Sequence, residues 1–572
     1  MASSRTGPSQ RGKRYSLTDA LRIIADSDSD LSDSEFSLND DTEDQLDDNS
    51  RSANDSIIYD WQDYPDIDPW EASWIPDFTK RRGVLVDTTD FDPHDYFKLF
   101  FPDSIFELMS NETNRYAERF FDSPAEFEAH SRFHQWKPTT KDEMKGFVAL
   151  QIEMGMNWRY DYKLHWSTRD VSPGGFGRVM SRDRFVLLQS FVHFCDNEKQ
   201  VDRGQAGYNP LFKVQQLLDL TLPTYQLCYQ PGRDLSIDES MVKYKGRLFF
   251  RQYMPAKPTK YGIKDFVLAE ANTGYCLNVI TYTGKDTFSR QDCPLTSQVV
   301  LQLLDGFDNA GHIVYMDNFY SSPDLFVQLQ RKGIGACGTA CINRRNMPQQ
   351  LKPENLKLKC GDDPIFMRSD NIVAVAWQDV KRVTCLSTVH TNNTCDKIIR
   401  QKGNPAGRML DKPVLVEEYN AKMGGVDQLD QMLVSYAYPH KSTKWYHAMY
   451  HRVQEIALTN GFIIYKQDHP DSRMTAAQFR EAVVDGLRAE YVPVQLPRRG
   501  RPSKDEPPKR LTERHFPVVY DDKKYKPDCE VCSNRLEHRR HQCNTYCKQC
   551  QKPMHATGCF ERYHTLKDYR MK

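Results

Sequence analysis

The chain contains no apolar run approaching the roughly 18 residues a membrane helix needs, and its mean hydropathy is −0.69. Its opening, MASSRTGPSQRGKRY, is polar and basic and lacks the apolar stretch of a secretory signal. Basic residues are almost missing from residues 26–79, where Arg51 stands alone among 18 Asp and Glu. These absences argue against a membrane partner and against an exported protein, so the 15 cysteines read as thiols or metal ligands rather than a disulfide framework. A cytosolic or nuclear setting is expected. What is present is enough for several domains, since 572 residues with 39% apolar content can bury real cores. The net charge of −1 hides an asymmetry: outside residues 26–79 there are 76 basic against 60 acidic side chains. Residues 498–572 alone hold 19 basic and 10 acidic residues. A body and tail so charged are drawn to polyanions.

Residues 1–85 read as a disordered acidic tail, because ADSDSDLSDSEFSLNDDTEDQLDDN cannot bury enough apolar surface to order itself. Its acid-flanked serines suit an acid-directed kinase. The later stretch IIYDWQDYPDIDPWEASWIPDF mixes aromatics with acids, as a short docking motif does. Apolar spacing of three and four predicts a helical domain over 86–232, with Ser181 capping the helix in SRDRFVLLQSFVHF. From residue 233 the period changes. LSIDESMVKYKGRLFF, YGIKDFVLAEANTGYCLNVITYTG and HIVYMDNFYSS predict strands over 233–343, with helices in LTSQVVLQLLDGF and SSPDLFVQLQRKG. Residues 344–414 return to short strands, as a β-rich insertion would, before 415–439 resumes the mixed pattern. Residues 440–497 are helical, 498–526 form a basic linker, and 527–572 are dense in Cys and His.

Three aspartates share one local grammar in this α/β region. Asp238 in LSIDES, Asp317 in HIVYMDNFYSS and Asp427 in GGVDQLDQM each follow an apolar stretch and precede turn-forming or small residues. Taken singly, each is more simply a strand-end turn or a helix cap. They lie 79 and 110 residues apart, so only tertiary structure can unite them. United at one edge of a sheet, they would make an oxygen-rich site for Mg²⁺, and two such ions suit cleavage or joining of phosphodiesters. Asp430, three residues after Asp427, would share its helix face. Downstream of Asp238, Arg251, Lys257 and Lys260 alternate with aromatics such as Phe249, Phe250 and Tyr261, a mixture suited to phosphate contact and base stacking. A solvated strand face explains any one of those cations equally well.

The ordered series SIDESMVKYKGR, KPTKYGIK, YMDNFYSS and EEYNAKMGGVDQLDQM closely resembles the piggyBac transposase family, and Trp445 with its helix extends the likeness over about residues 90–490. The resemblance implies an RNase H-like catalytic core, interrupted by an insertion and flanked by a helical dimerisation and DNA-binding domain. It implies Asp238, Asp317 and Asp427 as ligands of two Mg²⁺ per site, with Asp430 close by. It implies a homodimer acting on double-stranded DNA, on terminal inverted repeats and TTAA targets, through hairpin intermediates. Trp445 would then stack on an unpaired base, although a core role is the commoner one for a helical tryptophan. A host-adopted descendant that binds DNA without moving it is the alternative.

The tail carries Cys529-x2-Cys532 and Cys547-x2-Cys550, 14 residues apart, a zinc spacing. His555, Cys559 and His564 follow, with His541 and Cys543 also available. One Zn²⁺ held by the two Cys pairs is the minimal reading. The resemblance favours a cross-brace holding two, for which an eighth ligand is not obvious. Upstream, Arg499 and Arg501 in RRGRP resemble an AT-hook fitted to a narrow A·T minor groove, or else a nuclear-localisation segment. Either places the protein in the nucleus.

Overall fold

The computed structural model describes residues 14–15, 59–64, most of 76–491 and most of 509–570. The acidic run at 26–48 and the arginines Arg499 and Arg501 lie outside the described residues. The chain divides into two compact units, Met1–Val492 and Pro493–Lys572. Among the described residues no helix is long and apolar enough to cross a membrane.

The main elements of the first unit include a short strand, β1 (Gln62–Asp63), and after it the helices α1 (Pro93–Lys98), α2 (Asp103–Asp122), α3 (Lys141–Met156), α4 (Arg182–Phe191) and α5 (Phe212–Leu227). Local signals set their starts. Asp92 and Asp95 form a capping box ahead of Pro93, and the Thr140 and Ser181 hydroxyls accept the N–H groups of Glu143 and Arg184. Next come β2 (Asp234–Lys243), β3 (Gln252–Tyr253), β4 (Tyr261–Glu270), β5 (Cys276–Thr281), α6 (Leu295–Leu303), β6 (Ile313–Met316), α7 (Pro323–Arg331) and β7 (Gly335–Thr339). Then follow β8 (Ile365–Ser369), β9 (Ile372–Gln378), β10 (Arg382–Ser387), the hairpin β11 (Thr394–Gln401) and β12 (Asn404–Pro413), and four helices: α8 (Val414–Lys422), α9 (Gly425–Ser435), α10 (Trp445–Asp468) and α11 (Ala476–Glu490).

One ten-stranded sheet organises this unit, in the order β5-β4-β2-β6-β7-β10-β9-β8-β1, with β3 pairing on β4. The β2–β6 and β6–β7 pairs at its centre are parallel and every other pair is antiparallel. Parallel strands are covered on both faces, and β6 is buried along its whole length.

The segment 344–414 is not isolated from the sheet: β10 pairs with β7 and carries β9 and β8 into it, while β11 and β12 pair with each other. Residues 59–64 are also not a disordered stretch, because β1 hydrogen-bonds to β8 and satisfies the open edge of the sheet. Tyr59 donates to Asp324 at 2.7 Å and the Trp61 indole to the Asn346 carbonyl at 2.8 Å, fixing the segment further.

Helix α10 is buried on most sides. The Asn460 amide exchanges two 2.9 Å hydrogen bonds with the Cys276 backbone, so a side chain completes the outer edge of β5. Glu455 of α10 is paired with Arg480 of α11 at 2.7 Å, both nearly inaccessible to solvent. The second unit holds a small antiparallel sheet of β13 (Pro517–Val519), β14 (Thr545–Cys547) and β15 (Lys552–Pro553), then α12 (Cys559–Thr565). Its buried set is four cysteines with Val531, Met554 and Tyr563.

Candidate active site and metal centres

Asp238 occupies the middle of β2 rather than a strand end. Asp317 follows the last residue of β6. The parallel register sets Met316 against Ile237, so the residue after each, Asp317 and Asp238, fall side by side. Glu239 completes a compact group, with one carboxylate oxygen from each of Asp238, Glu239 and Asp317 within 4.8 Å of the others. The loop that carries Asp317 is tied down. Asp317 accepts the Phe319 N–H at 2.9 Å on its carboxylate and the Ser321 hydroxyl at 2.9 Å on its carbonyl, and Arg344 donates to the Asn318 and Phe319 carbonyls.

Asp427 stands exposed in the first turn of α9, outside this group. What brings α9 close is Gly425: a Cβ there would lie 2.3 Å from Ser236 Oγ and 2.9 Å from the Glu270 carbonyl, so only glycine lets the helix start against β2. Lys257 links the two parts of the site, with its ammonium 3.0 Å from Asp238 Oδ2 and within the field of Asp427. Asp430, one turn along α9, points elsewhere. Its Oδ1 accepts from Arg452 of α10 at 3.3 Å and from the Ser240 hydroxyl of β2, so it anchors the helix to the sheet.

Burial acts differently on the three clustered acids. It pushes the Asp238 carboxyl up to about 7 against the pull of Lys257. It raises Asp317 to about 6, and the charge of Glu239 adds to the rise. For Glu239 the cost of burial is outweighed by Lys264, 3.6 Å away, and by the Tyr320 hydroxyl donating at 2.6 Å, so its carboxyl is held below the usual range. A largely buried carboxylate group in which burial raises two of the three acids favours a bound cation, and all-oxygen donors at this separation fit Mg²⁺ better than softer metals. Glu239 escapes a sequence reading because neighbours on a strand point to opposite faces, and Tyr320, in the loop after β6, carries no motif of its own.

The remaining cationic and aromatic candidates separate. Arg251 is spent on its own hairpin, donating to the Lys245 and Gly246 carbonyls at 3.1 and 2.9 Å. Lys260 is exposed beside β4, next to a stacked and partly exposed pair, Tyr253 and Tyr261, with centroids 4.6 Å apart. Trp445 is 3% exposed and packs edge-on against Phe250 at 5.4 Å. That packing is the core role set beside base stacking for this tryptophan.

A profile of the family described as Transposase IS4 matches residues 92–462, more than half of the chain and all of the carboxylate site. The chain belongs to the piggyBac-type transposase family. The human PiggyBac transposable element-derived protein 2 is 26% identical over 438 residues, covering 73% of this chain and 68% of the relative. The human PiggyBac transposable element-derived protein 3 is 25% identical over 488 residues, covering 83% and 76%. In fold, the chain matches a piggyBac transposase solved by cryo-EM as a synaptic complex with hairpin DNA, with a TM-score of 0.61 and 24% identity over 83% of this chain and 98% of that one.

This piggyBac-type chain carries a second kind of site in its C-terminal unit. Two groups of four ligands each have their donor atoms within 4.8 Å: His515, Cys547, Cys550 and His564, and Cys529, Cys532, His555 and Cys559. The two Cys-x2-Cys pairs therefore belong to different sites, and the order of ligands along the chain interleaves. His541 and Cys543 take no part. His515 completes the first of these sets as a candidate ligand, its Nδ1 3.4 Å from both Cys547 and Cys550 Sγ. Sequence spacing misses it because it precedes the first cysteine by 14 residues, outside the Cys-x2-Cys pattern. The histidines are oriented for ligation. His564 Nδ1 sits 2.7 Å from the Phe560 carbonyl, leaving Nε2 toward Cys550, and His555 Nε2 sits 3.2 Å from the Gln542 carbonyl, leaving Nδ1 toward Cys532. Burial opposes the Cys529 thiolate, yet the amides of Cys532, Val531 and His555 hold the thiol down at about 7. Four soft or borderline donors in a compact group fit Zn²⁺.

Proposed function

We propose that this chain is a DDD-type cut-and-paste DNA transposase that cleaves and rejoins strands at TTAA sites by way of hairpin intermediates. The observation that carries the reading is the parallel β2–β6 register, which sets Asp317 beside Asp238 in a family whose chemistry is strand cleavage and joining. The sheet order at the centre, with an antiparallel β5-β4-β2 portion followed by parallel β6 and β7, supports an RNase H-like core. Two Mg²⁺ held by Asp238 and Asp317, with Asp427 approaching from α9, would acidify the attacking water or 3′-OH and stabilise the departing oxygen. The protein's own residues then have defined tasks. The Phe319 N–H fixes the Asp317 carboxylate and the Ser321 hydroxyl its carbonyl, Lys264 and Tyr320 hold Glu239 ionised beside it, and the Asp430–Arg452–Ser240 contacts seat α9, which carries Asp427, against β2. The excess of positive charge outside residues 26–79, the exposed hairpin with Lys260, and a C-terminal unit with two Cys/His groups suited to Zn²⁺ support double-stranded DNA as partner. Action as a homodimer in the nucleus completes the proposal.

The test is excision of a TTAA-flanked element by purified protein. Wild type is expected to cut, and Asp317→Asn is expected to lose three orders of magnitude or more, about 4 kcal/mol in barrier, with its melting temperature kept. Cleavage retained by Asp317→Asn sinks the metal-site assignment. A second reading is a host-adopted DNA-binding protein, favoured by two relatives named as derived from transposable elements. DNA binding by a wild type that leaves every such substrate uncut would select it.

A further inference from the structure

Two lysines face the carboxylate group, and they are held very differently. Lys264 lies on β4, 10% exposed, with its ammonium over the Phe266 and Phe319 rings at 4.8 and 4.7 Å. Held by two aromatic rings and 3.6 Å from Glu239, it is a fixed counter-charge. Lys257 is on the β3–β4 turn, closed by Lys257 N–H to the Met254 carbonyl at 3.3 Å and Met254 N–H to the Lys260 carbonyl at 2.9 Å. Its side chain is 22% exposed, and no ring is among its described contacts. Its ammonium nevertheless sits 3.0 Å from Asp238 Oδ2 and feels both Glu239 and Asp427. It therefore stands among the same carboxylates that would bind a divalent ion, on a loop that can withdraw a flexible four-carbon arm.

We infer that Lys257 is a displaceable counter-cation: its ammonium holds Asp238 in place before metal binds and competes with the divalent ion for the same oxygens. This rests on the proposed metal-dependent reading and gives Lys257 a positioning role within it. Without an ion, three clustered carboxyls with only Lys264 to offset them would repel and splay. With Lys257 in place, the site stays assembled, and a divalent ion enters by exchanging one positive charge for two. The ammonium is then released toward solvent, where a phosphate of the bound strand can take it up, so metal loading and substrate engagement become linked.

The decisive measurement is Mn²⁺ binding to the zinc-loaded full chain without DNA, read by the EPR signal of free Mn²⁺. Removing one positive charge a few ångströms away in a partly solvated site is worth roughly tenfold in affinity, so Lys257→Ala is expected to bind Mn²⁺ about tenfold more tightly. Lys257→Arg keeps the charge and should stay near wild type. Lys257→Gln repeats the Ala comparison should that variant fold poorly. Asp238→Asn with Asp317→Asn gives the signal from sites elsewhere. If wild type binds Mn²⁺ at this site and both neutral variants bind it equally or more weakly, the exchange idea is overturned while the transposase reading stands. If neither wild type nor the neutral variants bind above that background, both fall.

Discussion

The carboxylate site and the Cys/His unit solve the same problem, a cluster of metal-seeking groups, in opposite ways. The carboxylates come from residues as far apart as Asp238 and Asp427, and the protein supplies its own cations to them, Lys257 and Lys264. Their scaffold is a ten-stranded sheet with a large apolar core, so the fold stands without any ion. The Cys/His unit draws all eight ligands from residues 515–564 and has little else to hold it, since cysteines make up most of its buried set. A metal bound there would be part of its core. A site backed by a fold can exchange its ion, whereas a site that replaces a core cannot.

The largest effect that could break this contrast is metal removal. Structural zinc contributes about 10 kcal/mol or more to small units of this kind, so a strong chelator should unfold residues 509–570 while the body melts as before. Limited proteolysis alongside a thermal melt reads both, and a body that loses stability equally would erase the distinction. His515→Ala should reduce bound zinc from two per chain to one.

A smaller effect sharpens what the lysines do. Glu455 and Arg480 also form an acid–cation pair, but both are nearly inaccessible and no exchange is possible. Arg480→Ala strands a buried carboxylate, and a loss of about 3–5 kcal/mol is expected by chemical denaturation. Lys257→Ala, beside a half-open site, should cost far less stability. Equal losses would mean that Lys257 is a structural cation after all.

The smallest effect concerns a buried acid with no cation bonded to it. Asp265, opposite Ser240 in the β2–β4 register, accepts from the Thr281 hydroxyl at 2.8 Å, and burial pushes its carboxyl up to about 6. Its folded value is thus above its unfolded value of about 3.9. The penalty for holding it charged is absent below pH 4 and complete once pH passes 6, so Asp265 lowers stability as pH rises through that window. Asp265→Asn should flatten this part of the stability profile by about 3 kcal/mol. An unchanged slope would show that Arg452, the nearest cation acting on it, already offsets the charge.

Much of this site was legible in the chain. The two Cys-x2-Cys pairs stand out through local spacing, and Asp238 and Asp317 through the ordered series of motifs around them rather than singly. What was not legible depends on pairings that leave no local trace. Nothing around residue 382 signals that β10 will pair with Gly335–Thr339, so a reading of short strands does not show residues 365–387 extending the sheet. Glu239 belongs to the cluster through Tyr320 and Lys264, which tertiary packing alone delivers. The ligand pairing of the Cys/His unit interleaves four segments, and His515 carries no motif of its own.

The docking of Gln62–Asp63 on the sheet edge also sets a leash. Asp48, the last residue of the dense acidic run, is 11 residues before Tyr59, and a chain of that length spans at most about 40 Å. The polyanion is therefore a permanent neighbour of the body, at a local concentration fixed by tether length and independent of dilution. Salt should govern its attraction to the basic surface, and protein concentration should not. A cut placed just before Tyr59 would release the charge and leave the edge of the sheet closed.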